Sequence, residues 1–228
     1  MNRIFRVFRR FPSTFWVANT MELLERWAWY GMFMVLALYL TGSTDTGALG
    51  FSQQQKGMLM GTVVALLYVL PILTGALADR FGYRRTLVIA YFMLASGYYL
   101  MGQVQSYALM YVVFLWLALG AALFKPIIAA TVSKTTDQET SSIGFGIFYM
   151  MVNIGAFIGP IFASRLRLIS WEHVFTMGAL VILANLVLLL LFFREPHHRS
   201  DTGSLSSELM KALRNVKEAL SDIRFLVF

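Results

Sequence analysis

No cysteine occurs in the 228 residues, which excludes disulfides and thiolate metal sites. Charge is scarce too: 14% of the residues are Asp, Glu, Lys or Arg, against about a quarter in a soluble domain. A soluble chain hides its apolar residues in one core and shows a charged surface. Here 58% of the residues are hydrophobic and run in long uncharged stretches, with the charges swept into the gaps. Histidine is limited to His173, His197 and His198. The last two lie in a polar stretch and His173 is expected on the opposite membrane face, so a shared metal site is not expected. No G-x-S-x-G, phosphate-loop or H-E-x-x-H pattern is present. The chain reads as neither an enzyme nor a cofactor carrier.

Crossing ~30 Å of hydrocarbon takes about 20 helical residues. Gly57–Ala78, Ser141–Ser164 and Val174–Phe193 each meet that length without a charge. Thr86–Leu123 is long enough for two passes and divides at the polar pause Gln103-Val104-Gln105-Ser106, read as a tight turn. Phe15–Leu40 makes a sixth span, although it contains Glu22, Glu25 and Arg26. Charges interrupt it and no small-residue cleavage site follows, so it reads as a span and not as a cleaved leader. The expected architecture is an all-α membrane protein, a six-transmembrane-helix bundle over residues 13–194, behind a basic N-terminus at 1–12.

Of the 19 Lys and Arg, 14 precede span 1, lie between spans 2 and 3 or 4 and 5, or follow span 6. The positive-inside rule then places both ends in the cytoplasm, and the net charge of +7 reflects topology, with no nucleic-acid partner implied. The six spans fall into two sets of three around the gap Lys134–Thr140, and unusual charges occupy the first helix of each: Glu22, Glu25 and Arg26 in one, Lys125 in the other. Three-helix repeats whose charged helices meet at the midplane are a transporter architecture. Residues 195–223 read as a cytoplasmic linker, with Leu205, Leu209, Leu213, Val216, Leu220 and Ile223 at helical spacing. That amphipathic helix suits either a lipid interface or a protein surface. Residues 224–228 read as the start of a seventh helix, so the chain looks interrupted there.

A charge at a helix centre costs at least ~2.5–3.5 kcal/mol. Glu22, Glu25, Arg26 and Lys125 sum to zero, and residues 22, 25, 26 and 29 share one helix face. Lys125 is expected to reach the carboxylates from helix 4. Two readings fit: a static brace between helices, or a site for a proton and a substrate carboxylate. At the end of span 2, Gly75-Ala-Leu-Ala-Asp79-Arg80-Phe-Gly82-Tyr-Arg84-Arg85 has a glycine suited to close helix approach, a glycine suited to a turn, and an acid that can clasp three arginines.

The G-x-x-x-D-R-x-G-x-R-R spacing resembles the loop signature of the major facilitator superfamily. Glu22-Leu-Leu-Glu25-Arg26-Trp-Ala-Trp-Tyr30-Gly31 resembles the first signature of its proton-dependent oligopeptide transporters, and Phe148-Tyr149-Met-Met-Val-Asn153-Ile-Gly155 the second. Leu123-Phe124-Lys125-Pro126 and Tyr68 match two further positions, so the resemblance covers roughly residues 12–196. It implies the N-terminal half, with two three-helix repeats, of a proton-coupled importer of di- and tripeptides in a bacterial inner membrane, with protons as coupling ion and a missing C-terminal half as partner. By that resemblance Arg26 and Lys125 receive the peptide carboxylate. Tyr30, Tyr68 and Asn153 contact the peptide, and Glu22 and Glu25 couple it to protons through Arg26 and Lys125. Packing roles for the tyrosines and an interhelical hydrogen bond for Asn153 are the plainer alternatives. Trp27, Trp29 and Ile127 depart from the family's usual residues, and Trp29 is expected to reshape the pocket. That leaves open a same-fold carrier of another small carboxylate solute; a non-transporting half-bundle scaffold is the rival of a different class.

Overall fold

The computed structural model describes residues 8–196 and residue 210. The expected linker helix, Met210 apart, and the expected start of a seventh helix lie outside the described residues. Six long helices follow one another: α1 Ser13–Thr41, α2 Gln53–Phe81, α3 Tyr83–Met101, α4 Tyr107–Lys134, α5 Ser141–Leu166 and α6 Trp171–Phe192. A short 3₁₀ turn, Thr44–Thr46, joins the first two. The tight turn expected at 103–106 separates α3 from α4, and the gap after Lys134 separates α4 from α5.

Local chemistry sets several of these starts. Ser52 and Gln55 exchange side-chain and backbone hydrogen bonds at the head of α2, a capping box. Ser106 and Ser170 accept from Leu109 and His173 at the heads of α4 and α6. Between α2 and α3, Gly82 at φ +88° turns the chain through a conformation that a side chain disfavours. Four helices, α2, α4, α5 and α6, are long and apolar enough to cross a membrane by length and composition. In α1 the charged trio lowers the mean hydropathy, and in α3 Arg84, Arg85 and four tyrosines do so.

Packing is not that of a ring. The core fills the space among α1, α3, α4 and α6, with Tyr91 and Tyr98, Phe114, Phe124, Phe175 and Met32 fully buried. α2 and α5 lie outside it and bury few residues each. The contact pattern maps onto itself when the triplets are exchanged: α1 packs on α5 as α4 packs on α2, and α1 on α6 as α4 on α3. Because successive passes alternate direction, that exchange relates the triplets as inverted repeats. Arg26 and Lys125 therefore stand on equivalent helices.

The backbones of α1 and α5 approach closely. A Cβ added at Gly155 would sit 2.4 Å from the Leu23 carbonyl oxygen, and one at Gly159 2.4 Å from that of Trp27. Small residues at i and i+4 let membrane helices touch in this way. Gly75 does not serve that purpose: an added Cβ would meet Pro126 at 3.8 Å, an ordinary contact. Its neighbour Thr74 does the work instead. Pro126 has no N–H, which frees the Ala122 carbonyl four residues earlier, and the Thr74 hydroxyl donates to it at 2.6 Å.

Candidate functional site

The α1 stripe is buried with its charges: Glu25 is 0% and Arg26 6% exposed, and Glu22 is nearly as covered. Arg26 Nε lies 3.3 Å from Glu22 Oε1, one turn earlier, and Nη2 closes a second ion pair with Glu25. Helical spacing accounts for the Glu22 pair, at i and i+4; Glu25, the residue next to Arg26, supplies a second carboxylate from the same helix without that spacing. An ionised group in an apolar interior persists only when paired in this manner.

Lys125 departs from expectation. It is half-buried on α4 and feels the charges of Arg26, Glu25 and Glu22. Yet it closes no ion pair within 4.0 Å and makes no hydrogen bond among the described residues. The sequence sets the charges but not the gap between helices, and α1 and α4 touch over a short stretch only. The cluster is a compact trio with a separate cation beside it.

The other expected contacts scatter. Tyr30 is half-buried and packs against the main core. Tyr68 is 80% exposed on α2. Asn153 is exposed on α5 and donates to the Tyr149 carbonyl of its own helix at 2.8 Å, with no interhelical bond among the described residues. The Tyr30 and Tyr68 hydroxyls have no hydrogen-bond partner among the described residues. Trp29 does not reshape an open pocket: it is buried between α1 and α4, stacked on Phe33 at 5.3 Å and Phe114 at 6.5 Å.

The expected clasp of Asp79 with three arginines does not form among the described residues. Asp79 instead accepts from the Tyr83 hydroxyl at 3.0 Å, one turn later across the Gly82 bend. Lys134, at the end of α4, donates to that hydroxyl at 2.8 Å and stands 4.5 Å from the ring centroid. Tyr83 N–H donates to Glu195 beyond α6, Arg84 donates to the Leu190 carbonyl at 2.9 Å, and Arg80 stands over Phe81. The outcome is a knot of α2, α3, α4 and the α6 exit, centred on Tyr83. At the same end Arg10 pairs with Asp137 at 2.8 Å and Glu139 at 2.7 Å. Hydrogen bonds from Thr140, reinforced by Arg10, hold the Asp137 carboxyl below its usual range.

Sequence reasoning missed four buried polar groups beside the trio. Tyr91, Tyr98, Asn19 and Asn185 are all 0% exposed. Asn185 of α6 donates to the Met21 carbonyl at 2.9 Å, and Asn19 to that of Phe15 at 2.8 Å. The available signal was polar side chains inside apolar spans, the feature that marks function in membranes.

Comparison with known proteins places this architecture. The chain matches the Major Facilitator Superfamily over residues 20–228. It belongs to that superfamily and is an integral membrane protein. Among its relatives, dipeptide and tripeptide permease B of Aliivibrio fischeri (strain MJ11) is 31% identical over 183 residues, 77% of this chain and 35% of that protein. The permease of the same name from Shigella dysenteriae serotype 1 (strain Sd197) is 33% identical over 162 residues, 68% of this chain and 32% of that one. Among solved structures, a POT family transporter in complex with 5-aminolevulinic acid aligns with TM-score 0.78 at 23% identity, over 96% of this chain and 48% of its own. Peptide transporter POT in complex with sulfate aligns with TM-score 0.77 at 22% identity, over 95% and 46%. The resemblance carried by the sequence motifs thus agrees with the relatives found, which are named as permeases and transporters. The chain spans about a third of the curated relatives' length and about half of the solved chains.

Proposed function

We propose that this chain forms the N-terminal, proton- and carboxylate-binding half of a symporter that imports di- or tripeptides across a bacterial inner membrane by alternating access, with both ends of its bundle in the cytoplasm. The observation that carries the reading is the buried trio on α1 beside a half-buried, unpaired cation on α4. Glu22, Glu25, Arg26 and Lys125 sum to zero, so one added proton leaves one positive charge in a medium that penalises it. A substrate carboxylate cancels that charge, so proton and substrate favour each other's binding. Arg26 is already engaged by two carboxylates. Lys125 is engaged by none and meets the substrate carboxylate first; Arg26 joins once a glutamate is neutral. Tyr30, Tyr68 and Asn153 would contact the rest of the peptide, with Tyr68 and Asn153 on the equivalent outer helices α2 and α5. A C-terminal half would face those helices, which are the least buried of the six.

The test uses the full-length protein in liposomes with an imposed pH gradient. Lys125→Ala is expected to weaken peptide affinity about tenfold or more, the worth of a lost hydrogen bond to a charged group, and to abolish accumulation. Unchanged affinity and accumulation would make the four charges a structural brace. A second reading, a carrier of another small carboxylate solute, is favoured by the relative solved with 5-aminolevulinic acid. Competition by dipeptides against single organic acids separates the two. Absence of any proton-driven uptake would favour the non-transporting scaffold.

A further inference from the structure

Helices α2 and α6 each hold a single buried polar side chain, Thr74 and Asn185, among buried positions that are otherwise apolar or glycine. A hydrocarbon side chain would fill either place without the cost of burying a polar group. Both residues direct their donor to the backbone of another helix. Asn185 Nδ2 donates to the Met21 carbonyl of α1 at 2.9 Å, and the Thr74 hydroxyl to the Ala122 carbonyl of α4 at 2.6 Å. Those carbonyls belong to the turns that carry the charges. Met21 directly precedes Glu22 and stands one turn before Glu25; Ala122 stands three residues before Lys125. Among the described residues, no other side chain from a neighbouring helix bonds the backbone of either turn.

Two opposite charges stand apart between these turns. The trio carries one net negative charge and Lys125 one positive charge, and a medium of low dielectric makes such charges attract strongly. Even so, no carboxylate lies within 4.0 Å of Lys125. Direct packing does little to fix the gap, because α1 and α4 touch over a short stretch only. Each turn is tied to a third helix instead, α1 to α6 and α4 to α2, and α2 and α6 do not touch each other. Gly155 of α5 stands close against the Leu23 carbonyl. Met21 and Leu23 lie about 200° apart around the helix, so the charged turn of α1 is held on nearly opposite faces.

We propose that Asn185 and Thr74 are positioning residues of the carboxylate site: by anchoring the charged turns of α1 and α4 to α6 and α2, they keep Lys125 out of reach of the Glu22 and Glu25 carboxylates and so free for a substrate carboxylate. The role toward substrate rests on the proposed symport; the anchoring of the gap does not. Neither residue touches substrate. When either anchor is removed, its turn relaxes across the gap and a carboxylate closes on the Lys125 ammonium. An incoming carboxylate then has to displace that partner.

Reductive methylation of the full-length protein in detergent, with formaldehyde and cyanoborohydride, reads the gap: an ammonium held in an ion pair reacts slowly. Mass spectrometry follows Lys125, with the exposed Lys56 as reference in the same sample. In Asn185→Leu and in Thr74→Val, Lys125 is expected to react about tenfold more slowly than in wild type, the effect of one bond to a charged group, with Lys56 unchanged. Leucine continues the apolar stripe of α6, and one interhelical hydrogen bond in a membrane contributes little to stability, so Asn185→Leu is expected to fold. Either variant alone decides the matter should the other fail to do so. Calorimetric affinity for dialanine is expected to fall about tenfold in each. With Lys125 already replaced by alanine, Asn185→Leu should bring no further loss, an outcome that a merely loosened fold would not give. Unchanged Lys125 reactivity in one folded variant removes that residue from the pair, and in both it overturns the inference. Slower reaction with dialanine affinity unchanged overturns the role toward substrate. If the wild type binds no dialanine, the peptide reading fails, and Lys125 reactivity still decides the anchoring.

Discussion

Gly155→Ala adds one methyl group between α5 and α1, and the structure says what it meets: the Leu23 carbonyl oxygen at 2.4 Å, the Arg26 Cβ at 2.8 Å and the Trp27 backbone nitrogen at 3.0 Å. Ordinary contact begins near 3.4 Å, so α1 and α5 must separate by roughly 1 Å, because two of the three obstacles are backbone. Overpacking of this kind costs about 1–3 kcal/mol, offset by the roughly 0.5–1 kcal/mol that replacing a helical glycine by alanine returns. The net expectation is a loss of about 1–2 kcal/mol, or roughly 2–8 °C in midpoint for a chain of this size. Gly146→Ala, in the same helix, meets nothing within 4 Å and should stabilise by about 0.5–1 kcal/mol. Thermal unfolding of the 228-residue chain in detergent reads both. Because the displaced segment carries Arg26, a shift of about 1 Å should also lower uptake by the full-length protein up to a hundredfold. Equal midpoints for the two variants would refute the close α1–α5 approach.

Three further outcomes are expected. Tyr83→Phe removes the hydroxyl that joins Asp79 to Lys134; like Asp79→Asn, it should slow conformational exchange while leaving substrate affinity within about twofold, the effect of one neutral hydrogen bond being modest. Unchanged exchange rates would deny the knot a mechanical role. The Asp137 carboxyl is held low in the folded protein, so its contribution to stability is present above its unfolded value of about 3.9 and is lost as pH falls through its lower folded value. Hydrogen exchange of the α4–α5 loop should therefore stay constant from pH 8 to 5 after correction for the intrinsic rate, and protection lost near pH 6 would contradict the assignment. Glu25→Gln should mimic protonation, keeping counterflow exchange while abolishing pH-driven accumulation; full accumulation in that variant would remove Glu25 from coupling.

What the sequence made legible followed from local rules. The six spans, the turn at 103–106 and the gap after Lys134 come from charge spacing and hydropathy, and they stand within a few residues of the observed helices, except that α4 continues from the end of its uncharged run at Leu123 through Lys125 to Lys134. The Glu22–Arg26 ion pair was legible because the two stand at i and i+4 on one helix, where spacing fixes distance; the second pair, with the adjacent Glu25, does not follow from that spacing. Contacts between helices were not. Whether Lys125 touches Glu25 depends on a gap that no periodicity encodes, and Trp29 turned inward because α4 offered Phe114. Asp79 had three arginines near in sequence, yet a tyrosine one turn away won its carboxylate. The Gly82 bend brings the Tyr83 hydroxyl to the carboxylate, whereas exposed arginine side chains lose conformational freedom to form a pair that water screens.

The exchange of triplets adds a constraint that neither the charges nor the packing supplies alone. Arg26 and Lys125 occupy equivalent helices but unequal surroundings, since α1 supplies two carboxylates to its cation and α4 supplies none to Lys125. A symmetric pair of cations would compete for one anion. On the proposed function the asymmetry divides the labour: Arg26 is already paired with the acids of its own helix, and Lys125 stays available to an incoming carboxylate. Coupling of this kind is reciprocal, because whatever affinity the proton confers on the carboxylate the carboxylate must confer on the proton. On that proposal, a half-bundle built from near-equivalent triplets would hold both ligands only because the acids stand on one of the two equivalent helices, as they do here.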